Sequence, residues 1–138
     1  FRALVAQFCE NAQEKKCEIA LEQSEQSEQA MLCADRALLE RLLENLLNNS
    51  IRHNPGRVSI TVRTEAAGGC FCLTVADDGC GYPPAVLAAM NAPEPCENAP
   101  HILGLHVVEQ IAIAHGGKAE FAQNIPQGAK AVISLPME

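Results

Sequence analysis

Positive charge, long apolar runs and paired cysteine motifs are scarce in this 138-residue chain. Ten basic residues stand against seventeen acidic ones, for a formal net charge of −7, which argues against broad electrostatic binding to nucleic acid or to an anionic membrane. An anionic ligand therefore has to be held by a local site. No apolar stretch approaches the roughly 18 residues that a membrane-spanning helix needs. Because the N-terminus also lacks a signal-peptide layout, we expect a soluble, cytoplasmic domain. This expectation is compatible with a membrane anchor elsewhere in the parent protein.

The seven cysteines are an odd number and include no C-x-x-C pair. This pattern suggests neither a disulfide framework nor a four-thiolate zinc site, and it predicts reduced thiols. The chain opens at Phe1 on an amphipathic stretch, which we interpret as a piece of a longer protein. We expect residues 1–16 to be the end of a linking helix and a first helical region, and residues 17–138 to be one domain.

Hydrophobic periodicity predicts a mixture of helices and strands. We expect helices over residues 2–16, from the N-cap Asp35 to a stop at 54–56, over 84–90 and over 105–115, and strands over 17–22, 30–33, 58–64, 70–76, 118–123 and 129–135. The polar run 22–29 is predicted to be a solvated connection, and the proline-rich segment 91–100 to be irregular. Because the strands come mostly as adjacent hairpins, we predict an α+β two-layer sandwich with a mixed, mostly antiparallel sheet and helices on one face. A doubly wound parallel sheet is the less favoured alternative.

The helix that begins at Asp35 has a polar side made of Asn45, Asn49, Arg52 and His53. This side lies opposite an apolar stripe to which Leu39, Leu42, Leu43, Leu46, Leu47 and Ser50 are assigned. A carboxamide oxygen is a hard neutral ligand that suits Mg²⁺, and an arginine there would reach the phosphates that complete the shell of the metal. The alternative is the ordinary polar face of an amphipathic helix.

The loop that leaves the strand 70–76 has the sequence Asp77-Asp78-Gly79-Cys80-Gly81. Its glycines let a flat ring approach the backbone closely. A carboxylate at Asp77 accepts from the exocyclic amine of adenine and faces the carbonyl of guanine unfavourably, which would select ATP over GTP. Downstream, Gly104 and Leu105 open a helix whose N–H groups could hold phosphate oxygens. Taken singly, the loop also fits a simple turn, and the helix start fits an ordinary one.

The order of these segments resembles the ATP-binding catalytic domain of sensor histidine kinases, in the larger superfamily of gyrase, heat-shock protein 90, histidine kinase and MutL. Residues 45–53 (NLLNNSIRH) are similar to the N box of that family, and 77–83 (DDGCGYP) to its first glycine box. Residues 103–105 (LGL) through 115–117 (HGG) are similar to the second glycine box, and 128–136 (GAKAVISLP) to the terminal strand. The resemblance covers nearly the whole chain and implies a Bergerat-type fold.

The resemblance also implies a role for each matched residue, with Mg²⁺ and ATP as cofactors. Asn49 would ligate Mg²⁺, Asn45 would support it, Arg52 would contact phosphate and His53 would lie beside adenine. The first glycine box would supply Asp77 as acceptor of the adenine amine and Gly79 and Gly81 as walls of the purine pocket, and Gly104 and Leu105 would meet the phosphates beneath a lid over about 85–101. No residue of this chain is assigned as catalytic, because the receiving histidine would lie upstream of Phe1.

The implied partners are the upstream dimerisation and phosphoacceptor helices of the same protein and a downstream response regulator, with no nucleic acid; the fragment itself is expected to be monomeric. Three departures from the family pattern matter: Pro100-His101-Ile102 precedes Leu103 where glycines are usual, the lid lacks a phenylalanine box, and Ala129 replaces a frequent threonine. A proline supplies no N–H to a phosphate. A degenerate, non-catalytic nucleotide-binding or scaffold module of the same fold is therefore the second interpretation, and an unrelated α+β domain is the third.

Overall fold

The computed structural model describes residues 6, 17–28, 32, 34–52, 56–90 and 103–137. In chain order, the described elements are β1 (Cys17–Gln23), α1 (Glu25–Glu28), α2 (Arg36–Arg52), β2 (Val58–Ala67), β3 (Cys70–Asp77), α3 (Pro84–Met90), α4 (Leu103–Ala114), β4 (Lys118–Gln123) and β5 (Ala129–Pro136). The predicted helices at 84–90 and 105–115 and the strands in the ranges 58–76 and 118–135 are thus present, with ends that differ by three residues or fewer.

The strands form one five-stranded sheet in the order β1-β2-β3-β5-β4. Strand β1 runs parallel to β2, with Ile19 opposite Ile60, and the other three pairings are antiparallel. The hairpin β2–β3 and the pairing of β3 with β5 place β3 in the middle of the sheet. This arrangement confirms the prediction of a mixed, mostly antiparallel sheet, and the residues at the end of β3 consequently have strands on both sides.

The core lies between one face of the sheet and the two long helices. Alternate residues of the central strands are buried, as the period of two in their sequences predicts. From the sheet the core takes Val58, Ile60, Val62, Phe71, Leu73, Val75, Ala131, Ile133 and Leu135, and from α2 and α4 it takes Leu42, Leu43, Leu46, Leu47, Leu105, Val108, Ile111 and Ala112. The two helices pack against each other as well as against the sheet.

Side-chain hydrogen bonds cap two helix termini that meet at one end of the helical layer. The carboxylate of Asp35 accepts a hydrogen bond from the backbone N–H of Leu38 at 3.2 Å, which confirms the predicted N-cap of α2. At the same end of the layer, Nε2 of His115 accepts from the backbone N–H of Asp35 at 3.0 Å, and its Nδ1 lies 2.7 Å from the carbonyl oxygen of Ile111. The His115 ring therefore joins the C-terminus of α4 to the start of α2.

The structure corrects the prediction that the polar run 22–29 is a solvated connection. Residues Glu25–Glu28 form the short helix α1, and Ser27 is buried. Its hydroxyl lies 2.7 Å from the hydroxyl of Thr64, and its backbone N–H donates to the hydroxyl of Ser24. Two serines that bond locally and one buried hydroxyl pair are enough to fold a segment that composition alone places in solvent.

Some predictions fall largely outside the described residues. Of the helix predicted over 2–16 the structure describes only Ala6, and of the strand predicted over 30–33 it describes only Leu32, which belongs to no strand. The irregular segment 91–100 lies entirely outside them. In the described part of the chain, the thiols of Cys70 and Cys72 are free, and none of the helices there has the length and apolar character to cross a membrane.

Candidate functional site

The carboxylate of Asp77 is the most tightly held polar group at the end of the central strand β3. Only 2% of Asp77 is exposed. Its Oδ1 accepts hydrogen bonds from the backbone N–H groups of Gly79, at 3.0 Å, and of Ala129, at 3.1 Å. Its Oδ2 accepts from the hydroxyl of Ser50 at 2.8 Å. These partners use both lone pairs of Oδ1 and one of Oδ2, so Oδ2 retains capacity to accept a further donor.

Ser50 is a residue of this site that the sequence interpretation missed. The hydrophobic periodicity of α2 assigns Ser50 to the stripe of leucines, and the structure indeed buries it. The hydroxyl, however, bonds to Asp77 and so ties α2 to the end of β3. A lone hydroxyl in a stripe of leucines was the available signal, because a buried polar side chain needs a partner.

Two glycines allow other segments to approach this carboxylate. Gly128 has φ +107°, and a Cβ atom there would collide with the carbonyl oxygen of Asp77. Gly81 has φ +79°, and a Cβ atom there would lie 3.0 Å from the carbonyl oxygen of Gly128. Both positions therefore need a residue without a side chain, for conformation and for space. Gly128 is the second residue of this region to which the sequence interpretation gave no role at the site.

The polar side of α2 faces the start of α4. The side-chain Nδ2 of Asn45 donates to the carbonyl of Arg41 at 2.9 Å, and its Oδ1 would lie 3.4 Å from a Cβ atom added to Gly104. Asn49 lies one turn further along and is partly buried, and Arg52 is exposed at the end of the helix. The spacing thus brings the N box and the first residues of α4 together.

The remaining predicted site residues are placed as follows. Gly79 and Gly81 belong to the loop that follows Asp77, whereas the side chain of Leu105 is only 1% exposed and packs in the core. Leu105 can therefore offer a ligand only its backbone. His53 lies outside the described residues. Of the predicted lid over 85–101, the described part is the helix α3, whose Val86 and Met90 are buried.

Burial also marks Tyr82, the residue that follows Gly81. Its ring packs edge-on against Phe121, with the centroids 6.2 Å apart. Burial, and secondarily the negative charge of Asp77, raise the pKa of the Tyr82 phenol well above its usual value of about 10. The phenol is therefore neutral at physiological pH and forms an apolar support next to the acidic loop.

The side-chain donors of this region suit a metal ion that arrives bound to the phosphates of a substrate. Among the described residues, no group of three or more His, Cys, Asp or Glu side chains is arranged to hold a metal ion. Asn49 offers a carboxamide oxygen on the partly buried side of α2. Mg²⁺ is commonly held by few protein oxygens together with waters and substrate phosphates, so this residue fits such an ion.

A comparison with known protein families decides the affiliation of the chain. Residues 34–138 match the family model described as histidine kinase-, DNA gyrase B-, and HSP90-like ATPase. The chain belongs to this family. The matched residues include the whole of α2, the Asp77 loop, α4 and the closing hairpin, which are the segments described above. Family membership implies an ATP-binding domain.

The curated relatives of this ATPase domain are sensor kinases. It is 29% identical over 110 residues to the histidine protein kinase DivJ of Caulobacter vibrioides, which covers 75% of this chain and 18% of that protein. It is 33% identical over 101 residues to the sensor protein QseC of Salmonella typhimurium, which covers 70% of this chain and 22% of that protein. The chain thus spans about a fifth of the length of these relatives.

Solved structures show the same fold. The catalytic domain of histidine kinase ThkA superposes with a TM-score of 0.81 at 22% identity, over 98% of this chain and 88% of that one. Full-length ShkA in complex with AMPPNP gives a TM-score of 0.74 at 24% identity, over 99% of this chain and 29% of that one. These likenesses confirm the α+β architecture of the histidine kinase ATPase domains.

Proposed function

We propose that this ATPase-family domain is the catalytic domain of a two-component sensor histidine kinase, in which it positions Mg-ATP for phosphoryl transfer to a histidine on a separate helical domain. The observation that carries the proposal is the buried carboxylate of Asp77, held by three donors at the end of β3 and bonded directly to the helix that bears Asn49. The proposed adenine and metal sites would thereby be joined through the bond between Ser50 and Asp77.

The adenine end of the proposed site is built from the loop after β3. Asp77 accepts the exocyclic amine through the remaining capacity of Oδ2, and Gly79 and Gly81 leave room for the ring. An acceptor at this point favours adenine over guanine, because the carbonyl of guanine would face a carboxylate with no proton between them. We assign His53 a place beside the ring, as the family resemblance implies.

The phosphate end is built from α2 and the start of α4. Asn49 would hold Mg²⁺, Asn45 would support Asn49, and Arg52 would contact a phosphate. The backbone N–H groups at Gly104 and Leu105 lie in the first turn of a twelve-residue helix, where N–H groups lack helical partners and the dipole favours anions. Bound Mg²⁺ would neutralise phosphate charge during transfer, and the protein would contribute chiefly orientation.

The identity of residue 45 favours transfer to a protein side chain over hydrolysis. The resemblance predicts a glutamate at this position in the hydrolase branch of the superfamily, where water needs a general base. Here the position is Asn45, whose Nδ2 is already bonded to the carbonyl of Arg41. A carboxamide is too weak a base to take a proton from water, so the arrangement favours an acceptor, such as a neutral imidazole nitrogen, that attacks without a general base at residue 45.

The proposed partners follow from this assignment. The domain would act on a histidine in upstream dimerisation helices of the same protein and would thereby supply phosphate to a response regulator. It would work on the cytoplasmic side, where ATP is available, and we assign it no nucleic-acid partner because its net charge is −7.

The proposal is tested by calorimetric titration of the domain with ATP in the presence and absence of Mg²⁺. We expect tighter binding with Mg²⁺ and expect Asn49→Ala to abolish that difference. Asn48→Ala is the matched control, because it removes the same side chain from the neighbouring position and should preserve the metal dependence. Metal-independent ATP binding by the unsubstituted domain would contradict the assignment of Asn49.

A scaffold module of the same fold is the second candidate, and the sequence before α4 favours it. Two of the three glycines expected there are absent, and Pro100 has no N–H. This candidate predicts the same thermal midpoint without nucleotide, with ADP and with ATP, whereas a ligand at one hundred times its Kd would stabilise the native state by about 2.7 kcal/mol.

A further inference from the structure

Gln123, at the end of β4, bonds to the backbone of the Asp77 loop as a neighbouring strand would. Its Oε1 accepts from the backbone N–H of Tyr82 at 2.9 Å, and its Nε2 donates to the carbonyl oxygen of the same residue at 2.6 Å. One side-chain amide thus satisfies both backbone groups of Tyr82. The glycine at position 81 makes room for this contact, because a Cβ atom there would collide with Oε1 of Gln123.

Two more carboxamides of the same β4–β5 turn reach the other end of the loop. The Nδ2 of Asn124 donates to the carbonyl oxygen of Asp77 at 2.9 Å, and the Nε2 of Gln127 donates to the carbonyl oxygen of Asp78 at 2.7 Å. The turn itself is closed by the backbone N–H of Asn124, which donates to the carbonyl of Gly128 at 2.7 Å. We name Gln123, Asn124 and Gln127 the carboxamide clamp.

The clamp contacts a segment most of which lies outside the strands and helices. After β3 ends at Asp77, residues 78–83 form no strand or helix, so most of their backbone groups depend on partners outside the regular elements. Three carbonyl oxygens and one N–H of residues 77–82 find those partners in the clamp. Because ordering a backbone residue costs conformational entropy, a loop that is ordered in advance spares its ligand that cost.

We propose that the carboxamide clamp holds the loop 77–82 in its nucleotide-binding shape before the nucleotide arrives, so that Gln123, Asn124 and Gln127 are positioning residues for the purine pocket. The nucleotide part of this inference rests on the proposed function. None of the three side chains needs to touch the ligand. Their effect passes through the backbone of Asp77, Asp78 and Tyr82.

The first test needs no nucleotide. Gln123→Met keeps the length of the side chain and removes both bonds to Tyr82, and Gln110→Met on the exposed surface of α4 is the matched control. Amide hydrogen exchange in the nucleotide-free domain should accelerate about tenfold or more at Tyr82 in the first variant, because each lost bond favours opening about fivefold. The N–H of Val62, within the sheet, serves as the internal reference and should be unchanged.

The second test measures ATP affinity by calorimetry. We expect the variant that combines Gln123→Met, Asn124→Leu and Gln127→Met to bind ATP about tenfold or more weakly, with the deficit in the entropy of binding. Unchanged exchange at Tyr82, or an acceleration that Val62 shares equally, would overturn the clamp. Faster exchange at Tyr82 with unchanged ATP affinity would overturn its positioning role. The proposed function fails separately, if the unsubstituted domain binds no adenine nucleotide.

Discussion

Asp77→Asn separates the role of this carboxylate in folding from its proposed role in nucleotide binding. The backbone N–H groups of Gly79 and Ala129 need an acceptor, so the asparagine should place its oxygen at the position of Oδ1. Its NH₂ group then occupies the position of Oδ2 and faces the hydroxyl of Ser50, which can accept as readily as it donates. The folded protein keeps its hydrogen bonds, whereas the adenine amine meets a donor.

The hydrogen bonds that change set the expected magnitude of each effect. We expect the free energy of unfolding to fall by about 1 kcal/mol, for the charge-assisted part of the lost bonds, and ATP binding to weaken by about 1–3 kcal/mol, or roughly 5- to 150-fold in Kd. Asp77→Ala is expected to behave differently. It leaves the buried backbone N–H of Ala129 without an acceptor, which costs about 1–3 kcal/mol in stability, and it also removes the acceptor of the partly buried N–H of Gly79.

Urea unfolding and calorimetric titration with ATP and GTP measure both quantities. Asp78→Asn is the matched control, because it removes the same charge one residue further on, where an exposed side chain accepts from the backbone N–H of Ser59 through Oδ1. It should change ATP affinity less than twofold. Equal ATP affinity in the unsubstituted protein and in Asp77→Asn, or equal weakening by both variants, would refute a direct role of Asp77 in binding adenine.

Three further predictions concern stability. Gly128→Ala should cost more than about 2 kcal/mol in urea unfolding, because its Cβ atom would meet the carbonyl of Asp77, whereas Gly68→Ala, at φ +61° with open space around it, should cost about 1 kcal/mol and is the control. Because the pKa of Tyr82 is raised in the folded state, the unfolded state releases the phenol proton at a lower pH than the folded state does. The free energy of unfolding should therefore fall above pH about 10, by up to about 1.4 kcal/mol per pH unit. Tyr82→Phe should remove that part of the slope. His115→Leu should lower the unfolding free energy by about 1 kcal/mol, because the N–H that precedes α2 loses its acceptor; an unchanged urea midpoint would contradict this bridge.

The sheet could be predicted from sequence because its central strands alternate strictly. Val58, Ile60 and Val62 are buried and the residues between them are not, and a period of two leaves little choice of register when only one face of the sheet is covered. The leucines of α2 and the Asp35 cap gave the long helix in the same way. The parallel pairing of β1 with β2 was not predictable, because it depends on which edge the chain returns to.

The hydrogen bonds that shape the site could not be predicted, since they join residues far apart in sequence. Ser50 and Asp77 are 27 positions apart, and Gln123 bonds to Tyr82 across 41 positions. The sequence positions of Ser50 and Gln123 follow no periodic pattern from which these partners could be predicted. The helix α1 was missed for a related reason, because a buried bond from Ser27 to Thr64 outweighs the polar composition of its neighbours.

The bond from Ser50 to Asp77 has a consequence for the design of competitive inhibitors. An inhibitor that enters the proposed purine pocket would meet an aspartate with one oxygen fully engaged and the other shared with a serine hydroxyl. A heterocycle that presents a single amine there matches the remaining acceptor capacity, whereas a group that presents two donors side by side would have to displace the serine.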